Sequence, residues 1–181
     1  MSEIILVNEF DQQTGVADKW DAHKQGLCHR AFSVFIFREK KGCLQTLLQQ
    51  RASDKYHSQN LWSNACCSHP KPNQNIEQAA KLRLKEEIGM QTPLLLVDKF
   101  HYCQPVGNEL IENEWDYLFI GYNEQTPCQL NPSEVQAVQW MDADKLETSL
   151  KENPKYYSIW LQPAWQHVKP YIKNTLEKMR S

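Results

Sequence analysis

The stretch IEQAAKLRLKEEIG, residues 76–89, decides the fold. It reads as one helix, about Ile76–Ile88, with Gly89 as its C-terminal stop. At about 100° per residue, Ile76, Ala79, Ala80 and Leu84 share an apolar arc. Arg83 and Glu87 fall inside that arc. Two charges one turn apart on a buried face need a partner, a metal or an anion. The plainer reading is an i,i+4 ion pair at the edge of the stripe, with Leu82 and Ile88 marking a core that lies elsewhere.

Around this helix the apolar runs are short: Ile4–Val7, Phe32–Phe37, Leu44–Leu48 and Leu61–Cys67 before it, Leu94–Tyr102, Glu109–Tyr122 and Val135–Met141 after it. Turn signals at Lys40-Lys41-Gly42 and Pro105-Val106-Gly107-Asn108 suggest strands joined by hairpins. Asp142 reads as the N-cap of a short helix, and a long C-terminal helix is expected from about Pro163 to Arg180. Mixed strands, a central helix and C-terminal helices predict one α/β (α+β) domain over residues 1–181, with a helical extension from about 142 to 181.

Composition bounds the function. Of 181 residues, 41% are hydrophobic and 23% charged, which excludes disorder as the main state. A net charge of −2 gives no whole-molecule footprint for nucleic acid. The longest apolar run falls far short of the ~20 residues that cross a bilayer, and the N-terminus carries no secretory signature. Six cysteines without a CxxC pair read as reduced thiols in a cytoplasmic protein. Core filling is the default for Cys28, Cys43, Cys103 and Cys128.

Charge recurs where packing would not place it. In ENEWDYLF, residues 112–119, alternation puts Glu112, Glu114 and Asp116 on one face of a strand. That face is either solvated or brings two carboxylates onto a divalent cation. The segment WSNACCSHP (62–70) places Cys67 and His69 on one face if extended, and AHKQGLCHR (22–30) carries His23 and His29. Three histidines with two carboxylates suit Mn, Fe or Zn better than Ca or Mg. His57, His101 and His167 occupy no comparable context and read as structural or exposed.

These motifs resemble the type I isopentenyl-diphosphate Δ-isomerases, a branch of the Nudix fold. The matching stretches include AHKQGLCHRAFSVFIF (22–37), QQRASDKYH (49–57), LWSNACCSHP (61–70), RLKEEIG (83–89) and FHYCQPVGNELIENEWDYLF (100–119). Matches continue at VQWMD (138–142) and YYSIW (156–160). The resemblance implies a Nudix-like mixed β-sheet sandwich and an enzyme interconverting isopentenyl and dimethylallyl diphosphate. Cys67 and Glu114 would be catalytic, with Tyr102 assisting Glu114. His23, His29, His69, Glu112 and Glu114 would hold one divalent metal, Mn²⁺ or Zn²⁺. Glu87 would bind Mg²⁺ with the substrate diphosphate. Lys19, Arg51, Lys55 and Arg83 would hold that diphosphate, and Trp160 would line the alkene pocket. The expected partner is a small isoprenoid diphosphate, with neither nucleic acid nor membrane, for a monomer or homodimer.

The implied chemistry explains those residue types. An unactivated alkene is a very weak base, and its protonation gives a tertiary carbocation that water would trap. The site must deliver a proton on one face, remove another from the opposite face and exclude water. The preferred assignment has Glu114 delivering the proton and Cys67 taking one. Of the usual Nudix box only Glu86, Glu87 and Gly89 remain, since Ser68, Gln74 and Leu82-Arg83 replace its other members. That departure weakens the alternative, a pyrophosphohydrolase of nucleoside diphosphate derivatives. A structural Zn²⁺ module is a third reading, but regular Cys/His ligand pairs are missing.

Overall fold

The computed structural model describes residues 2–180. Its axis is β3 (His29–Lys40). Phe32, Val34 and Ile36 face one side of this strand and Phe35 and Phe37 the other, all fully buried. A strand covered on both faces must read as a nearly continuous apolar run, which is what residues 31–37 are. Along one edge, β8 (Leu110–Tyr122) runs parallel to it, with His29 opposite Glu114 and Phe37 opposite Tyr122. The other edge is shared in turn by β1 (Glu3–Val7), β6 (Cys66–Ser68) and β4 (Cys43–Arg51). Strand β5 (Trp62–Asn64) and strand β9 (Val135–Asp142) extend the sheet from β4. Strand β7 (Leu94–Gly107) pairs with β8 through a two-residue turn whose Asn108 and Glu109 both have positive φ, 52° and 59°. This matches the turn that keeps hairpin strands twisted correctly.

Helix α2 (Ile76–Ile88) covers the Phe32 side through Ala79, Ala80, Leu84 and Ile88. Its C-cap is Gly89 at φ 70°, where an added Cβ would stand 2.8 Å from Gln129 Cβ. Leu82, by contrast, is exposed. The Phe35 side is covered by α3 (Ala143–Glu152), α4 (Leu161–Val168) and α5 (Ile172–Arg180). The result is a helix, a mixed sheet and a helical layer, the α+β class that the sequence predicts.

Several local expectations need correcting. The C-terminal helix is two helices separated by a 3₁₀ turn at Lys169–Tyr171, because Pro170 lacks the N–H that a continuous helix would use. The Leu61–Cys67 run divides at Ala65 into β5 and β6, which pair with different strands. Strand β2 (Gln13–Asp18) and helix α1 (Lys19–Gln25) lie in a region the apolar pattern does not mark. Short polar elements leave little periodicity, and α1 is fixed by its caps: Trp20 N–H donates to Asp18 Oδ1 at 2.9 Å, and Gly26 closes it at φ 62°. Asp142 precedes α3 but makes no cap bond; its carboxylate accepts from Gln45 and pairs with Lys145. Cys43, Cys103 and Cys128 are exposed, so they fill no core. Among the described residues, no helix is long and apolar enough to cross a membrane.

Candidate active site

The acidic face of β8 points inward. Glu112, Glu114 and Asp116 are buried at 3%, 6% and 1% exposure. The alternation that places them together continues into Leu118 and Ile120, which pack with Phe35 and Phe37. One strand face is thus apolar core at one end and carboxylate at the other, which overturns the solvated-face alternative.

Histidines from three segments meet these carboxylates. Helix α1 supplies His23, the first residue of β3 is His29, and His69 follows β6. His23 Nδ1 lies 2.6 Å from the Lys19 carbonyl and His29 Nδ1 2.8 Å from that of Leu27. These bonds orient both rings with Nε2 toward the glutamates. His23 Nε2 is 3.3 Å from Glu112 Oε2, while His29 and His69 Nε2 are 3.2 and 2.9 Å from Glu114 Oε1. Together His23, His29, His69, Glu112 and Glu114 offer ligand atoms within 4.8 Å of one another. Buried His23 Nε2 and Glu112 Oε2 face each other without a hydrogen-bond partner. A cation between them would satisfy both, so the group fits a divalent metal ion. Burial pushes the His69 pKa well down, with His29 and Lys19 adding repulsion, so this ring is neutral as a ligand must be. Burial opposes ionisation of Glu114, yet the hydrogen bonds and charge of its neighbours hold it well below the usual carboxylate range.

Glu114 opens onto one narrow cavity, about 40 Å³ of space for a water-sized sphere. Lys19, Arg51, Lys55, Cys67, Arg83, Tyr102 and Trp160 line it, whereas Glu87 is not among its lining residues. Tyr102 lies opposite Glu114 on β7 and donates its hydroxyl to Oε2 at 2.6 Å. Burial drives the Cys67 thiol up to about 12, so at neutral pH the sulfur carries its proton. Trp160 is buried against the cavity, with the Arg51 guanidinium 5.1 Å above its ring. Its face already accepts a cation there.

The cations of the cavity are not equivalent. Burial and the charges of Lys55 and Arg51 lower the Lys19 pKa to about 8. Arg83 donates to Glu87 Oε1 at 2.6 Å, and Gln49 Nε2 donates to the other Glu87 oxygen at 3.0 Å. Both of the two alternatives for Arg83 and Glu87 therefore hold in part: they form the i,i+4 pair, and Glu87 is nevertheless buried. Lys55 and Arg83 also share Glu134 as a partner.

Four residues have contacts in the site to which the sequence reading assigns no role. Asn64 Oδ1 accepts from both the Cys67 thiol and the Trp160 indole. Gln49 orients Glu87. Asp116 has a carboxyl pushed well up by burial and by Glu114, and accepts from Ser33 Oγ at 2.8 Å. His57, expected to be structural or exposed, is buried with Nε2 2.8 Å from Glu112 Oε1. His101 and His167 are exposed, as expected. Only Asp116 had a legible signal, its place on the face of Glu112 and Glu114.

The sheet, its two helical layers and the glutamate-bearing helix define a NUDIX-domain protein, and the NUDIX domain model matches residues 28–161. Isopentenyl-diphosphate Delta-isomerase 2 of Aromatoleum aromaticum is 42% identical over 166 residues, 92% of this chain and 86% of the relative. The isopentenyl-diphosphate Delta-isomerase of Aliivibrio fischeri is 40% identical over 173 residues, 93% of this chain and 96% of the relative. The chain belongs to the isopentenyl-diphosphate Delta-isomerase family of NUDIX-domain proteins. In fold it is similar to a crystal structure from Deinococcus radiodurans at TM-score 0.72 and 16% identity, covering 92% of this chain and 99% of that one.

Proposed function

We propose that this chain interconverts isopentenyl diphosphate and dimethylallyl diphosphate, moving a carbon–carbon double bond by one position. One observation carries the reading: Cys67 and the Tyr102–Glu114 pair share a single narrow cavity with Trp160 and the cations Lys19, Arg51 and Lys55. The cations take the diphosphate, Arg through bidentate hydrogen bonds and Lys as point charge. The allylic end then lies between sulfur and carboxylate, and the tight walls keep water from the cationic carbon. Trp160 turns its face to that carbon, worth on the order of 2 kcal/mol when desolvated.

Two groups carry protons. The Tyr102 phenol holds one against Glu114 Oε2, its pKa driven well up by burial and by the glutamate charges. Cys67 holds the other. For the forward reaction that proton first passes from sulfur to the Glu114 carboxylate; Glu114, with Tyr102, then protonates the terminal carbon of isopentenyl diphosphate, and the Cys67 thiolate removes a proton from the carbon beside the diphosphate. The pair Cys67–SH and Glu114–COO⁻ is then the state competent from the dimethylallyl side. Return to the other state moves a proton from sulfur to the Tyr102–Glu114 pair.

Mn²⁺ or Zn²⁺ held by His23, His29, His69, Glu112 and Glu114 would supply positive charge that acidifies a proton at Glu114. Glu87 would hold Mg²⁺, which would offset the charge of the diphosphate. The partner is this small diphosphate, and six free thiols suit a cytoplasmic setting. A pyrophosphohydrolase is the weaker reading, because Leu82 and Arg83 stand beside Glu86 and Glu87 on the helix, and its other carboxylate, Glu77, pairs with Lys81 in the first turn. The decisive experiment incubates isopentenyl diphosphate with the protein in heavy water, with and without chelator. Deuterium entering substrate and product, and dimethylallyl diphosphate forming only without chelator, is the expected result. Release of inorganic phosphate or pyrophosphate without isomerisation would overturn the proposal.

A further inference from the structure

The two glutamates of the histidine cluster divide their oxygens in the same way. Glu114 turns Oε1 to His29 and His69 and gives Oε2 to the Tyr102 hydroxyl at 2.6 Å. Glu112 turns Oε2 to His23 at 3.3 Å, and its Oε1 lies 2.8 Å from His57 Nε2. His57 thus stands beside the outer oxygen of Glu112 as Tyr102 does for Glu114, by close contact where Tyr102 makes a hydrogen bond. It is 2% exposed, and its completely buried Nε2 has no acceptor in hydrogen-bond alignment, with Glu112 Oε1 as a close charged neighbour. Its Nδ1 is 3.0 Å from Ser58 Oγ, which can donate to it and leave the ring proton on Nε2. The ring is packed edge-on against Tyr56 and Trp160, with centroids 4.2 and 5.8 Å away, and the His57 carbonyl accepts from Arg51 at 3.2 Å. Backbone and ring are therefore both held.

We propose that His57 is a positioning residue for Glu112. Its ring nitrogen stands 2.8 Å from Oε1 and leaves Oε2 as the oxygen that Glu112 presents to the cluster. A buried carboxylate with both oxygens free can rotate and offer either or both to a cation; a donor on one of them removes that freedom. His57 is outside the five residues whose ligand atoms lie within 4.8 Å of one another, so its action runs through Glu112 and not through direct ligation. The inference rests on the metal site proposed above and deepens it. It also links two parts of the cavity, because the same ring braces Trp160 on one side and Glu112 on the other.

The test is a titration of the full-length, metal-free chain with Co²⁺ against a competing chelator, without substrate. It compares the parent with His57→Ala, His57→Gln and, as a remote control, His101→Ala. His57→Ala should weaken binding by about 10–100-fold with one ion still bound at saturation. The visible absorption of bound Co²⁺ should change in His57→Ala. His57→Gln, whose amide N–H can reach Oε1, should recover most of the affinity and the parent spectrum. Near-ultraviolet circular dichroism of each metal-free variant checks folding, and the glutamine variant keeps the volume of the site if the alanine variant fails. Affinity of His57→Ala within about threefold of the parent overturns the proposal, as does a glutamine variant no better than alanine. Complete loss of the ion in both variants also overturns it, since that would make His57 a ligand. The readout is ion affinity, so it stands apart from whether isopentenyl diphosphate turns over.

Discussion

The Cys67 thiol lies 3.4 Å from Asn64 Oδ1, the oxygen that also accepts the Trp160 indole N–H at 3.3 Å. One carboxamide oxygen therefore sets both the sulfur and the aromatic wall. It cannot turn away, because Asn64 Nδ2 donates to the carbonyls of Val34 and Cys66 at 3.2 and 2.8 Å. Asn64→Leu keeps the volume and removes these bonds. Turnover should fall by about 10–100-fold while KM for the diphosphate changes less, since misplacement of reacting groups acts on the chemical step. Steady-state kinetics check this; a rise in KM at constant kcat would mean that Asn64 serves substrate binding instead.

Cys67→Ala should abolish isomerisation and leave the melting temperature within a few degrees of the parent. The side chain is partly buried, and its deletion removes only weak sulfur contacts to Ser63 and Asn64. Full activity in this variant would remove the thiol from the mechanism.

Glu114→Gln should lose turnover together with the ion at the histidine cluster. His29 and His69 both face Glu114 Oε1, and a neutral amide gives neither them nor a cation the same partner. Tyr102→Phe leaves the metal ligands in place and should retain the ion while turnover drops by about 10²–10⁴-fold. Elemental analysis beside kinetics separates the two, and metal loss in Tyr102→Phe would contradict the division.

Lys19 makes the site pH-dependent on the alkaline side. In the proposed function its charged form attracts the diphosphate, and with its pKa lowered to about 8 this charge is lost as pH rises through that value. kcat/KM should therefore fall above about pH 8, and Lys19→Arg should move that limb to higher pH, since guanidinium stays charged. An unchanged profile in the arginine variant would assign the limb to another group.

Gln49→Leu removes the donor to the second Glu87 oxygen. The Mg²⁺ concentration giving half-maximal activity should rise by about 10-fold or more, the usual cost of losing a group that orients a ligand carboxylate. Magnesium titrations of the parent and variant read this directly, and coincident curves would show that Glu87 needs no such support.

Much of the fold was legible because its signals are local. The apolar run of β3, the turn before β8 and the Gly89 stop each depend on residues near one another in sequence. Helix α1 and strand β2 were not legible, since their order comes from two caps and a neighbouring strand. The cluster His23, His29, His69, Glu112 and Glu114 could be named through motifs, but His57 could not. It closes the matching stretch QQRASDKYH, but that stretch assigns it no role, and its meaning depends on Glu112, fifty-five positions away.

Residue order alone fixed the alternation that puts Glu112, Glu114 and Asp116 on one strand face, because side chains on an extended chain must point to opposite sides in turn. Whether that face met water or the interior was decided by the tertiary structure. Strand β3 lies parallel beside β8, and the helical layer at the C-terminus closes over the same side. Carboxylates enclosed in this way cannot rely on solvent, so they draw in histidines, a tyrosine and the room for a cation.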